Sequence, residues 1–203
     1  RVHARHYHNQ LVHSHFHGLT GCRTSLIPHQ LYIAHEVAHR HAPRVLLADE
    51  VGLGKTIEAG LVMQEMAFRH RARTMLILCP ASLQEKWRME MEEKFGSDFQ
   101  IVDTEYLKTL RRQQGLHANP WTSHPRLITS MDWAKQGEGL RLLKQVLPVQ
   151  VSHPRRFDML IIDEAHNIAP TVGKYAVESL RTRLVRLIAP HFQHKLFLTA
   201  TPH

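Results

Sequence analysis

The apolar positions along this chain follow two patterns that take turns. Six short stretches, 45–47, 75–79, 99–102, 127–130, 159–162 and 196–198, are mostly unbroken apolar runs. Such runs are expected where both faces of a parallel strand are covered. Between them, apolar residues recur at helical spacing. Pro28 suits the first turn of a helix; Leu31, Ile33, Ala34, Val37 and Ala38 follow, and Pro43 sets the end. Further helices are predicted over 53–69, 82–95, 105–114, 139–146 and 174–187. This alternation predicts an α/β domain with a mainly parallel sheet. Right-handed crossovers would then gather the loops that follow the strands along one sheet end. Residues 1–22 show no clear period and read as a His-rich lead-in to a domain over 23–203. Segments 117–125 and 148–156 read as loops. There is no internal repeat.

Three strand ends carry chemistry. After 45–47 comes ADEVGLGKTIEAG, a glycine-rich turn between a strand and a helix. Gly52 and Gly54 let the backbone curl and bring its N–H groups to an anion. The helix start adds partial positive charge there. Lys55 can reach outer phosphates, and the Thr56 hydroxyl can hold Mg²⁺. Asp49, Glu50, Val51, Gly52, Leu53, Gly54, Lys55 and Thr56 thus form a candidate triphosphate cradle. The strict pattern G-x-x-x-x-G-K-[ST] has glycine where this chain has Asp49.

The run 159–162 leads into Asp163-Glu164-Ala165-His166. An acid at the strand end suits Mg²⁺, opposite Thr56, and its neighbour suits the attacking water. Asp163 and Glu164 are therefore candidate catalytic residues with Lys55. The last run ends in Thr199-Ala200-Thr201-Pro202, whose hydroxyls can bond to those acids.

Composition changes the picture little. The chain has 203 residues, 43% of them hydrophobic, enough for one sizeable core. Its net charge of +8 suits a polyanionic partner such as nucleic acid. Cys22 and Cys79 have no metal-ligand spacing, and reduced thiols are expected. No apolar run is long enough to cross a bilayer, and RVHARHYHNQ lacks the apolar core of a secretion signal, so a cytoplasmic location is expected. His3, His6, His8, His13, His15 and His17 crowd the start without a cysteine or carboxylate, which suits an arm that charges at low pH better than a metal site.

Together the three motifs resemble the first RecA-like lobe of superfamily-two helicases. ADEVGLGKT and LTATP are similar to the Swi/Snf group of double-stranded-DNA translocases, in which aspartate at position 49 is usual. The resemblance runs from Arg23 to Pro202. Over 23–60 it is to the RapA-like, RNA polymerase-associated branch; over 106–170 it is to the helicases of DISARM-type phage defence. It implies a three-layer RecA-like fold, ATP and Mg²⁺ as ligands, and double-stranded DNA as partner, with RNA polymerase or phage-defence proteins beside it. It also implies residue roles. Gln30 matches the glutamine that reads adenine, as a side-chain amide can. His166 would couple the acids to the rest of the cleft. The segment from Pro80 to Ser82, with Trp87 in the helix that follows, matches a motif that touches the nucleic-acid backbone; Ser82 would cap that helix, and for Trp87 core packing is favoured over direct contact. Thr129 and Ser130 match the next such motif, contacting phosphates without reading sequence. Arg111, Arg112, Arg155, Arg156, Arg181, Arg183 and Arg186 read as solvated faces.

Members of this family close a second RecA-like lobe over ATP, and its arginine fingers are worth ~10³–10⁵ in rate in related phosphoryl transfer. The sequence stops at His203, directly after the third motif. The expectation is therefore one lobe of a larger enzyme, poorly active alone. A competing reading is a non-hydrolysing adaptor that binds nucleic acid or polymerase and keeps a relic nucleotide site. Intact Lys55, Thr56, Asp163 and Glu164 weigh against it.

Overall fold

Strands β1 (Arg44–Leu47), β2 (Met75–Cys79), β3 (Gln100–Val102), β4 (Arg126–Ser130), β5 (Phe157–Ile162) and β6 (Phe192–Leu198) form one sheet in the order β1-β6-β5-β2-β4-β3. Every pairing is parallel. The computed structural model describes residues 22–24, 27–48, 54–169 and 178–201. The lead-in 1–21, residues 49–53 of the phosphate loop, the first part of the helix expected over 174–187, and Pro202 lie outside them.

Helices cover both faces, which gives three layers. On one side lie α1 (Pro28–His39), α2 (Lys55–Phe68) and α3 (Gln84–Phe95). On the other lie α4 (Thr104–Gln114), α5 (Met131–Ala134), α6 (Gly137–Val146) and α7 (Leu180–Ile188). Alternate strand residues serve alternate layers. Ile77, Cys79, Met159 and Ile161 join the core under α1–α3, while Leu76, Leu78, Leu160 and Ile162 join the core under α4–α7. This explains the unbroken apolar runs of β2 and β5: successive side chains point to opposite faces and both faces are covered, whereas Leu46 on the edge strand β1 is exposed. Each large aliphatic side chain so buried contributes on the order of 1.5–3 kcal/mol.

Local chemistry sets the helix ends. Asp103 Oδ1 accepts from the Tyr106 N–H at 2.7 Å and starts α4; Ser179 Oγ accepts from the Thr182 N–H at 3.1 Å and starts α7. Gly60 matters for packing, because a Cβ there would lie 2.2 Å from the Phe95 ring. Glycine thereby lets α2 and α3 approach closely.

Two features go beyond what the sequence pattern predicts. Helix α5 was not legible as a helix; its four residues start where Ser130 Oγ accepts from the Trp133 N–H at 3.1 Å. The 117–125 loop contains a tight turn, Pro120–Thr122, with Trp121 buried and its indole donating to Gly139 O at 3.0 Å. Among the described residues no helix is long and apolar enough to cross a membrane.

Candidate nucleotide site

The strand order places the ends of β1, β6 and β5 side by side, and the three motifs follow those ends. Gly54 immediately precedes α2 in the left-handed conformation (φ 86°, ψ 36°), and its carbonyl accepts from the N–H groups of Ile57 and Glu58. Positive φ is one reason for glycine here. The second is space: a Cβ on Gly54 would lie 2.7 Å from Gln30 Nε2. Gln30, buried on α1, therefore abuts the end of the phosphate loop.

Across the cleft, the Asp163 N–H donates to Leu78 O at 2.8 Å and extends the pairing of β5 with β2 by one residue. Both carboxylate oxygens of Asp163 are held. Oδ1 accepts from the Glu164 N–H and Oδ2 from the Trp87 indole N–H, each at 2.9 Å. Beside it the buried Cys79 thiol is pushed up to about 12, first by burial and then by the Asp163 charge, so it stays protonated at neutral pH.

Glu164 is a non-glycine residue in the left-handed region (φ 51°, ψ 50°). Such a conformation costs on the order of 1–3 kcal/mol and persists only where surrounding contacts impose it. Here its carbonyl accepts from both the N–H and the side-chain amide of Asn167. The turn points Glu164 Oε2 at His166 Nδ1, 3.2 Å away. The same ring nitrogen lies 3.3 Å from Thr199 Oγ1. With the proton on Nδ1, one N–H serves both oxygens. Thr199 is tied in turn to the end of β1, its N–H donating to Leu47 O at 3.0 Å.

One cavity of about 360 Å³ is lined by Gly54, Lys55, Thr56, Trp87, Asp163, Glu164 and Ala200. Lys86, Glu90 and Lys94, one helical face of α3, close another side; sequence reasoning missed them, although their spacing of four was visible. Two cavities of about 290 Å³ at the opposite sheet end are lined by no carboxylate and no phosphate-loop residue. They are gaps between helices and sheet.

The nucleic-acid candidates divide. Pro80 and Ser82 sit at the same sheet end, Ser82 exposed in a 3₁₀ turn, Ala81–Leu83. Ser82 does not cap α3, because that extra turn puts Leu83 at the cap position, with no side-chain bond there. The Thr129 hydroxyl is already engaged. Thr129 is buried, and its hydroxyl donates to Val102 O at 2.6 Å. The Ser130 hydroxyl is buried as the cap of α5. A phosphate contact at β4 would have to use neighbouring backbone. Asp49, Glu50, Val51, Gly52 and Leu53 lie outside the described residues.

The model of the SNF2-related domain matches residues 29–203. RNA polymerase-associated protein RapA of Actinobacillus pleuropneumoniae is 44% identical over 194 residues, 91% of this chain and 18% of that protein. RapA of Serratia proteamaculans is 39% identical over 202 residues, 100% of this chain and 19% of that protein. The chain thus spans about a fifth of the length of these curated relatives. Among solved structures, the Sulfolobus solfataricus SWI2/SNF2 ATPase core in complex with dsDNA is similar with a TM-score of 0.65 at 18% identity, over 90% of this chain and 33% of that one. The Sulfolobus solfataricus SWI2/SNF2 ATPase core domain gives 0.63 at 17% identity, over 94% and 34%. These two likenesses are of fold.

Proposed function

The chain belongs to the family of SNF2-related domains, and from that premise we propose that it is the ATP-binding and hydrolysing lobe of a RapA-like motor that works on double-stranded DNA and associates with RNA polymerase. The observation that carries the reading is the single cavity shared by Lys55, Thr56, Asp163 and Glu164. Mg²⁺ would fit the donors present. A hydroxyl and a carboxylate, both hard oxygen ligands, line that cavity together beside the positive end of α2. Thr56 and Asp163 would hold Mg²⁺, which when bound neutralises phosphate charge.

Lys55 binds outer phosphate oxygens as a point charge. Gln30, packed on Gly54, offers its amide to the adenine edge. Glu164 orients the attacking water and accepts its proton. His166 holds Glu164 in place and links it to Thr199, so the third motif registers the state of the acids. Pro80 and Ser82 face the nucleic-acid backbone, and the net positive charge draws it in. A second lobe of the same protein would complete the site over ATP. Identity to RapA proteins spans 91–100% of this chain, including 106–170, and this favours the polymerase-associated branch over the DISARM-type one.

The test uses the full-length protein. ATP turnover should rise with duplex DNA more than with single strands, and Lys55→Ala should abolish it while leaving the fold intact. Unchanged turnover in Lys55→Ala contradicts the assignment. Co-purification with RNA polymerase tests the partner.

A further inference from the structure

Trp87, on α3, is buried in the core, where its packing needs only apolar surface. What it adds is an N–H, and a buried indole N–H needs a partner. That partner is the Asp163 carboxylate, 76 positions away in sequence. We propose that Trp87 is a positioning residue for the metal site, fixing the plane of the Asp163 carboxylate so that its remaining lone pairs meet the ion.

The geometry supports this in three ways. First, the two oxygens of Asp163 accept from two different elements, the indole on α3 and the Glu164 N–H in the turn. Two anchors fix rotation about the last side-chain bond, which one anchor would leave free. Each oxygen of an ionised carboxylate still has a second lone pair to offer. Second, Trp87 and Asp163 line the same cavity as Thr56, so the bond lies at its wall. Third, α3 follows directly on the Ala81–Leu83 turn that carries Ser82. Its placement therefore sets where the indole stands, and Asp163 is tied to the position of that turn.

The inference rests on the nucleotide reading above, and the experiment separates the two. In the full-length protein, Trp87→Phe keeps a buried aromatic ring and removes the donor together with part of the indole's volume. Binding of a fluorescent ATP analogue is measured in Mg²⁺ and in EDTA, alongside the Mg²⁺ dependence of hydrolysis. The variant is expected to need roughly 10-fold more Mg²⁺ for half-maximal activity, as is typical when a partner of a metal ligand is lost. Affinity in EDTA and turnover at saturating Mg²⁺ should stay near wild type. An unchanged Mg²⁺ requirement overturns the proposal, and so does equal weakening with and without Mg²⁺, which would make Trp87 a packing residue only. If the wild type binds no ATP, the nucleotide reading itself fails. Should Trp87→Phe not fold, wild-type protein labelled with 5-fluorotryptophan decides. With Mn²⁺ and nucleotide, the Trp87 fluorine resonance should broaden beyond detection; if no tryptophan resonance of the full-length protein broadens, the proposal is wrong.

Discussion

Gln30 Nε2 occupies the space that a side chain on Gly54 would need, with a Cβ there only 2.7 Å away. The residue matched to adenine recognition and the last glycine before Lys55 therefore form one packed unit. Gly54→Ala meets both this contact and a φ of 86°, and left-handed backbone costs a non-glycine residue roughly 1–2 kcal/mol. The expected outcome is lower stability and at least ~10-fold weaker ATP binding, since a 1.4 kcal/mol cost at the site corresponds to that factor. Adding Gln30→Ala relieves the contact but not the torsion, so stability should recover only in part. Wild-type ATP affinity in Gly54→Ala contradicts this.

His166 stands between Glu164 and Thr199, 3.2 and 3.3 Å from their oxygens. Among the described residues it is not part of the lining of the cavity that Lys55 and Thr56 share. His166→Ala should therefore leave ATP affinity unchanged and lower turnover. A well-placed general base is worth ~10²–10⁴, so loosening Glu164 should forfeit on the order of 10-fold or more. Steady-state kinetics check this; a fall in affinity with unchanged turnover contradicts it.

The Thr129 hydroxyl joins β4 to β3 through Val102 O. Thr129→Val keeps the shape and removes the bond. It should cost about 1–2 kcal/mol of stability, and affinity for duplex DNA should not change. Weaker DNA binding at unchanged stability would restore Thr129 as a nucleic-acid contact.

Lys195 on β6 carries a pH dependence. Burial first, then the charges of Arg44 and Arg155, push its ammonium down to about 8, although Nζ donates to Phe192 O at 2.7 Å. The unfolded value is about 10.4. Between the two the unfolded chain holds more protons, so this group's penalty eases as pH rises through that window. The melting temperature of wild type should gain on that of Lys195→Gln from about pH 8 upward. Parallel curves contradict the shift.

Much of this was legible in the sequence, because it rests on local pattern. The runs at 75–79 and 159–162 announced parallel strands, and each motif followed a run. Periodicity ran out where position depends on distant partners. The 196–198 run extends back to Phe192 because His194 and Lys195 are polar yet occupy strand positions, His194 buried and bonded to Arg71 O. Trp121 looked like part of a loop because its partner, Gly139 O, is set by tertiary packing. The bond from Trp87 to Asp163 could not be read from spacing, since only the sheet order brings α3 against the end of β5.

The central claim is that Lys55, Thr56, Asp163 and Glu164 serve one nucleotide and its metal. Asp163→Asn tests it most directly, with ATP affinity of the full-length protein measured in Mg²⁺ and in EDTA. The account predicts that Mg²⁺ strengthens binding to the wild type, and that the variant keeps its EDTA affinity and loses that gain. A variant that still binds ATP more tightly with Mg²⁺, by the same factor as wild type, would contradict it.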